Sequence, residues 1–247
     1  MIVLFTDFGW NGPYVGQMRA VLLGLAPDQP MVDLMHDAPC FNPRAAAYLL
    51  ASLVHSFPPG TVFLAVVDPG VGTGQRRPCV VRADGRWFVG PDNGLFNRVI
   101  LQAETSEAWY INWRPKRLSD SFHGRDLFAP VAAQLANDEL PALTPARFEI
   151  DSAAWPDDLA EVIYLDRFGN AMTGLRGESL RPRQRLQAGT VSLGHARTFA
   201  EVPAGQPFWY VNSNGLVEIA VNRGNAARRL GLVIGSKVGV PGYQDNR

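Results

Sequence analysis

The sequence predicts an α/β fold: an N-terminal α/β domain with a mostly parallel sheet, then a small C-terminal β-barrel domain. Three observations carry this reading. Apolar runs at residues 2–5, 31–35 and 62–67 alternate with stretches of helical spacing, the β-α-β-α-β order of a parallel sheet. Each run delivers a polar residue to its end, Asp7, then His36-Asp37, then Asp68, where ligands of open α/β sheets gather. Beyond Pro156 the texture changes to short alternating segments without long helical patterns, the signature of a small barrel or sandwich.

The elements follow in order. Residues 2–5 form a strand, and Tyr14–Leu25 carries Val15, Met18, Val21, Leu22 and Leu25 at helical spacing. Met31–Met35 is a second strand. Pro43 opens the next helix in its first turn, where a missing N–H costs nothing, and the helix runs to about Ser56. Pro58-Pro59-Gly60 breaks it before the strand at 62–67. Asp68, Pro69, three glycines (Gly70, Gly72, Gly74) and the pair Arg76-Arg77 come next. Segments 79–83 and 87–89 predict a hairpin around Asp84-Gly85. A polar loop at 90–95 opens a helix to about 101, and residues 121–130 precede another ending near 136. The stretch from Pro141 to Pro156 lacks strong periodicity, which places the domains at 1–152 and 157–247. In the second, 162–165, 185–193, 208–211, 216–221 and 238–240 read as strands.

Composition narrows the function. Lys plus Arg and Asp plus Glu number 23 each, so net charge gives no case for nucleic acid or an anionic membrane. No apolar run reaches bilayer length. Met1 runs straight into a strand with no basic leader, and the expected location is the cytoplasm. Two cysteines, Cys40 and Cys79, are too few for a disulfide framework. With neither G-x-G-x-x-G nor a P-loop, a dinucleotide or triphosphate reading lacks its phosphate cradle.

Three polar residues in Gly- and Pro-rich connections are candidates for one site: Asp68, Arg76 or its neighbour Arg77, and His123. A carboxylate, a guanidinium and an imidazole together can hold and polarise a water, one accepting its proton and two stabilising hydroxide character. Arg125-Asp126 reads as a local ion pair. A weaker alternative is a metal site from Asp7, His36, Asp68, Asp92 and His123, whose spacings match no known ligand pattern.

Several motifs in order carry a resemblance. Thr6-Asp7-Phe8-Gly9 with Tyr14-Val15-Gly16, Val67-Asp68-Pro69-Gly70-Val71-Gly72, Pro91-Asp92-Asn93-Gly94 and Phe122-His123-Gly124-Arg125-Asp126 lie in the first half. Asp166-Arg167-Phe168-Gly169-Asn170, Asn212-Ser213-Asn214-Gly215 and Asn225-Ala226 continue it in the second. Together they resemble the S-adenosyl-L-methionine hydroxide adenosyltransferase family, related to the fluorinase and chlorinase enzymes. The resemblance implies hydrolysis of S-adenosyl-L-methionine to adenosine and L-methionine by attack at the ribose C5′, with no cofactor. It implies Asp68, Arg76 and His123 as the catalytic set, and an aspartate at 68 argues for the hydrolytic branch. It also implies Asp7 at the ribose hydroxyls, Phe41 and Phe122 against the substrate, Asn170 at adenine, and Asp166 and Ser213 at the methionine end. A homotrimer with active sites between subunits is implied as well. Three positions depart from the family pattern: Gly12 replaces an Asp, Gly174 replaces an Asn, and the loop before the arginines is one residue longer. The competing readings are halide-dependent adenosyl transfer and a non-catalytic adenosine-binding or S-adenosyl-L-methionine-binding module.

Overall fold

The computed structural model describes residues 1–74, 76–181 and 184–241. The chain divides into two compact units, Met1–Ile150 and Asp151–Arg247. The first is built on a seven-stranded sheet. Its first strands are β1 (Ile2–Thr6), β2 (Met31–Met35) and β3 (Val62–Val66), joined through helices α1 (Tyr14–Leu25) and α2 (Pro43–Leu53). The hairpin β4 (Pro78–Ala83) and β5 (Arg86–Pro91) follows, then α3 (Asn97–Gln102), β6 (Ser106–Ile111), α4 (Ala129–Ala136) and β7 (Leu143–Ala146). The spatial order is β2-β1-β3-β5-β4-β6-β7. Pairing is parallel from β2 to β5 and antiparallel from β5 to β7.

Every residue of β1 and β3 is buried, as expected of central parallel strands covered on both faces. Helix α1 buries Val15, Met18 and Leu22 on one stripe. Helix α2 starts where the Asn42 side chain accepts the Ala45 N–H at 3.0 Å, with Pro43 in its first turn. Two strands escape the sequence reading. β6 is only half-buried and lacks clean alternation, and β7 is an edge strand containing Pro145, tolerated where no inner ladder needs its N–H.

Among the described residues, the second unit is a sheet of seven strands. These are β8 (Leu159–Leu165), β9 (Ala171–Arg176), β10 (Leu186–Ala188), β11 (Val191–His195), β12 (Pro207–Val211), β13 (Leu216–Val221) and β14 (Val238–Gly239). Their order is β14-β10-β11-β12-β13-β9-β8. The segment before β14 returns to β8: Val162 N–H donates to Ser236 O at 2.9 Å and Gly235 N–H to Val162 O at 2.8 Å. The sheet is thereby nearly closed, as a small barrel requires. Trp209 fills the interior and donates its indole N–H to Gln184 O at 3.0 Å. The expected single strand at 185–193 is two strands turned at Gly189, whose φ of +57° suits a hairpin. Strand β9 and a short helix α5 (Ala226–Leu230) were not foreseen. Gly174, one of the unusual positions, lies opposite Leu159 in the ladder; a Cβ there would stand 2.6 Å from Leu159 Cβ. A larger side chain would force β8 and β9 apart.

Candidate active site

The strand register decides which side chains meet. Thr6 of β1 pairs with Val66 of β3, so the two strands end side by side and deliver Asp7 and Asp68 to the same sheet edge. Asp7 N–H reaches back to Val66 O at 3.4 Å. The loop after β5 supports the second of these ends: Asn93 donates its side-chain N–H to Val67 O at 2.9 Å. Sequence reasoning left Asn93 without a role, although its place in a Pro-Asp-Asn-Gly loop was a signal.

Asp68, Arg76 and His123 come together. Arg76 donates from Nε to Asp68 Oδ1 at 2.9 Å and from Nη2 to Asp68 Oδ2, a bidentate pair. The same Nη2 lies 3.1 Å from His123 Nδ1. Both side chains of the ion pair are nearly buried, 5% exposed for Asp68 and 7% for Arg76. Phe128 lies under the guanidinium, 5.5 Å from its ring centre. A guanidinium has no acceptor, so His123 Nδ1 must be bare and the neutral ring carries its hydrogen on Nε2. Burial lowers the pKa of His123, and the Arg76 charge lowers it further.

His123 is held by its own loop. It precedes a widened turn, Gly124–Phe128, in which Ala129 N–H reaches Gly124 O, a π-type bond of the kind frequent at functional sites. Asp126 accepts from Arg125 Nε at 2.6 Å and from Ser119 N–H at 2.9 Å, buckling the loop from 119 to 126. The Arg125-Asp126 pair is local, as expected.

Arg76 and Arg77 part company. Arg77 stacks on Tyr110, its guanidinium carbon 3.4 Å from the ring centre, beside Asp92, whose Oδ2 accepts from Tyr110 OH at 3.2 Å. Arg76 is therefore the arginine at Asp68 and His123. Gln75, in the lengthened loop, lies outside the described residues.

Gly72 lets the two loops touch. Its φ is +76°, and a Cβ would stand 2.6 Å from Asp120 O. Gly72→Ala is expected to displace the 120–123 segment, cost about 1–3 kcal/mol in denaturant unfolding and lower activity through His123.

Asp7 is half-buried and its pKa is raised, first by desolvation and also by the neighbouring Asp68 charge. Its Oδ2 accepts the Phe41 N–H at 3.3 Å. Phe41 has φ +56° and is 78% exposed, a strained backbone presenting a ring to solvent rather than to the core. Phe122 is packed instead, 5.7 Å from Phe8 and 5.3 Å from Tyr14 between ring centres. Gly12, at φ +150°, lies between the exposed Trp10 and Tyr14.

In the second unit Asp166 organises its own loop. Oδ1 accepts Phe168 N–H at 2.9 Å and Asn170 N–H at 2.8 Å, and Oδ2 accepts the Asn170 side-chain N–H at 2.9 Å. Ser213 is exposed in the turn between β12 and β13. Nearby, buried Glu218 accepts from Tyr210 OH at 2.6 Å and Asn212 Nδ2 at 2.8 Å.

The five donors weighed for a metal do not converge: among the described residues no three His, Cys, Asp or Glu side chains form such a group. His36 points to Thr6 and Asp33, and Asp92 to Tyr110.

Comparison with known proteins places the chain as a whole. Residues 2–144 match the SAM hydroxide adenosyltransferase N-terminal domain, and residues 160–239 match the C-terminal domain of the same name. The chain belongs to the SAM hydroxide adenosyltransferase family. A (R)-S-adenosyl-L-methionine hydrolase of Thermus thermophilus is 41% identical, covering 96% of this chain and 98% of its own. A fluorinase of Actinopolyspora mzabensis is 25% identical over 97% of this chain and 96% of its own. A solved structure of a conserved protein from Thermotoga maritima superposes with a TM-score of 0.82 at 31% identity, covering 96% of this chain and 98% of that one. SAM hydroxide adenosyltransferase relatives named as hydrolases thus stand closer to this chain than the fluorinase does. Among the described residues no helix is long and apolar enough to cross a membrane.

Proposed function

We propose that this protein hydrolyses S-adenosyl-L-methionine to adenosine and L-methionine, with the R configuration at sulfur that its hydrolase relatives' names specify. The observation that carries the reading is one guanidinium, Arg76, bonded at once to Asp68 and His123. Asp68 gives one lone pair per oxygen to Arg76 and keeps others for a water. His123 offers an Nε2–H donor to the same water oxygen, and the Arg76 charge stabilises hydroxide character there. The water attacks C5′ in line with the C5′–S bond. As C5′–O forms, C5′–S breaks and sulfur takes the electron pair, leaving a neutral thioether. The water proton passes to Asp68 and then to solvent. Sulfonium is already a good leaving group, so no acid is required at sulfur.

Asp7 holds the ribose diol, since a carboxylate accepts from both hydroxyls. Phe41 and Phe122 face the nucleoside, Asn170 reads adenine through its carbonyl oxygen, and Asp166 and Ser213 take the methionine end. Of about four lone-pair sites on Asp166, three are taken by its loop, leaving one for the ammonium. The working form is a cytoplasmic homotrimer that uses no cofactor; sedimentation would report the trimer directly.

Chromatography of reactions with the separated sulfur epimers tests the reading. Adenosine from the R epimer is the expected product. A 5′-halo-adenosine formed with chloride or fluoride would establish adenosyl transfer to halide instead, and tight adenosine binding without product would leave only a binding module. The pH profile follows from His123. Its neutral form accepts from Arg76, and its pKa lies below the ordinary 6.5. Hence kcat/KM should stay level as pH falls through 6.5 and drop only below it. An acid limb of His123 centred above 6.5 contradicts this arrangement.

A further inference from the structure

His36 is fully buried, and the chemistry above makes no use of it. Nδ1 lies 2.8 Å from Thr6 Oγ1 and Nε2 lies 3.1 Å from Asp33 Oδ1, while Asp33 also pairs with Arg19. For a neutral imidazole the protons have one self-consistent arrangement. A carboxylate only accepts, so Nε2 carries the ring hydrogen. Nδ1 is then bare and takes the Thr6 hydroxyl hydrogen, and Thr6 Oγ1 accepts the Phe8 N–H at 3.3 Å. The backbone repeats the tie: Gly9 N–H donates to His36 O at 2.6 Å, and Ala38 N–H to Thr6 O at 3.0 Å. The turn carrying Asp7 is thus clamped to the end of β2. The clamp has a physical reason, since a half-buried carboxylate beside Asp68 gains by turning toward water unless its backbone is fixed.

We propose that Asp33, His36 and Thr6 form a positioning relay that fixes Asp7 toward the ribose diol and so sets nucleoside affinity without touching the substrate. This rests on the reading of Asp7 as the ribose-binding group. The test is calorimetric titration of the full chain with adenosine and with 2′,3′-dideoxyadenosine, which lacks the diol. Thr6→Val, of nearly the same shape, is expected to weaken adenosine binding about tenfold and leave dideoxyadenosine unchanged, with Thr6→Ser restoring the difference. His36→Gln keeps a donor toward Asp33 and loses the ring acceptor, so it should show the same selective loss if Thr6→Val folds poorly. Equal weakening of both ligands, or none, overturns the relay. Asp7→Asn separates the two readings. If it abolishes the preference for adenosine while Thr6→Val and His36→Gln keep it, the relay alone fails. If Asp7→Asn leaves the preference intact, the Asp7 assignment fails and the relay with it.

Discussion

Asp68→Ala is expected to lower kcat/KM for adenosine release by about 10³-fold or more. In the proposed mechanism the residue accepts the water proton, and in the structure it anchors Arg76, so its loss would remove the proton acceptor and release the guanidinium that holds His123. Structure contributes to the loss as well. Removing one partner of a nearly buried ion pair leaves the other charge uncompensated, a cost of about 3–5 kcal/mol. Asp68→Asn keeps shape and one acceptor oxygen, so it separates chemistry from folding. It should melt closer to the parent, still bind adenosine and still fail to turn over. Parental activity in Asp68→Asn would remove the carboxylate from the mechanism.

The second large effect contrasts adjacent residues. Arg76→Ala should cost about 10²–10³-fold in kcat, because no other described side chain donates to Asp68 and His123 together. Arg76→Lys should recover little, since an ammonium cannot make the bidentate contact and reach the imidazole as well. Arg77→Ala, which removes a stack on Tyr110, should stay within about tenfold of the parent. Steady-state kinetics on the three variants decides the matter. Comparable losses at both positions would mean that Arg77 also serves the reacting water.

The parallel half of the fold was legible because β1 and β3 are buried on both faces and read as unbroken apolar runs. The half-buried β6, the Pro-containing β7 and β9, with Gly174 in its middle, lacked that pattern, since pairing partners rather than local sequence decide them. At the site, Asp68 and His123 were visible as polar residues in glycine-rich loops. The choice between Arg76 and Arg77 was not, because spacing along a loop does not say which side chain turns inward; the stack on Tyr110 does. His36 looked like a metal donor for a related reason. Its burial between Thr6 and Asp33 depends on a strand pairing thirty residues distant.

The most direct measurement is the fate of solvent oxygen. The enzyme turned over in oxygen-18 water should yield adenosine with one heavy oxygen at the 5′-hydroxyl and unlabelled methionine, as mass spectrometry would read it. Adenosine free of label would mean that water does not attack C5′, and the joint role assigned to Asp68, Arg76 and His123 would be wrong.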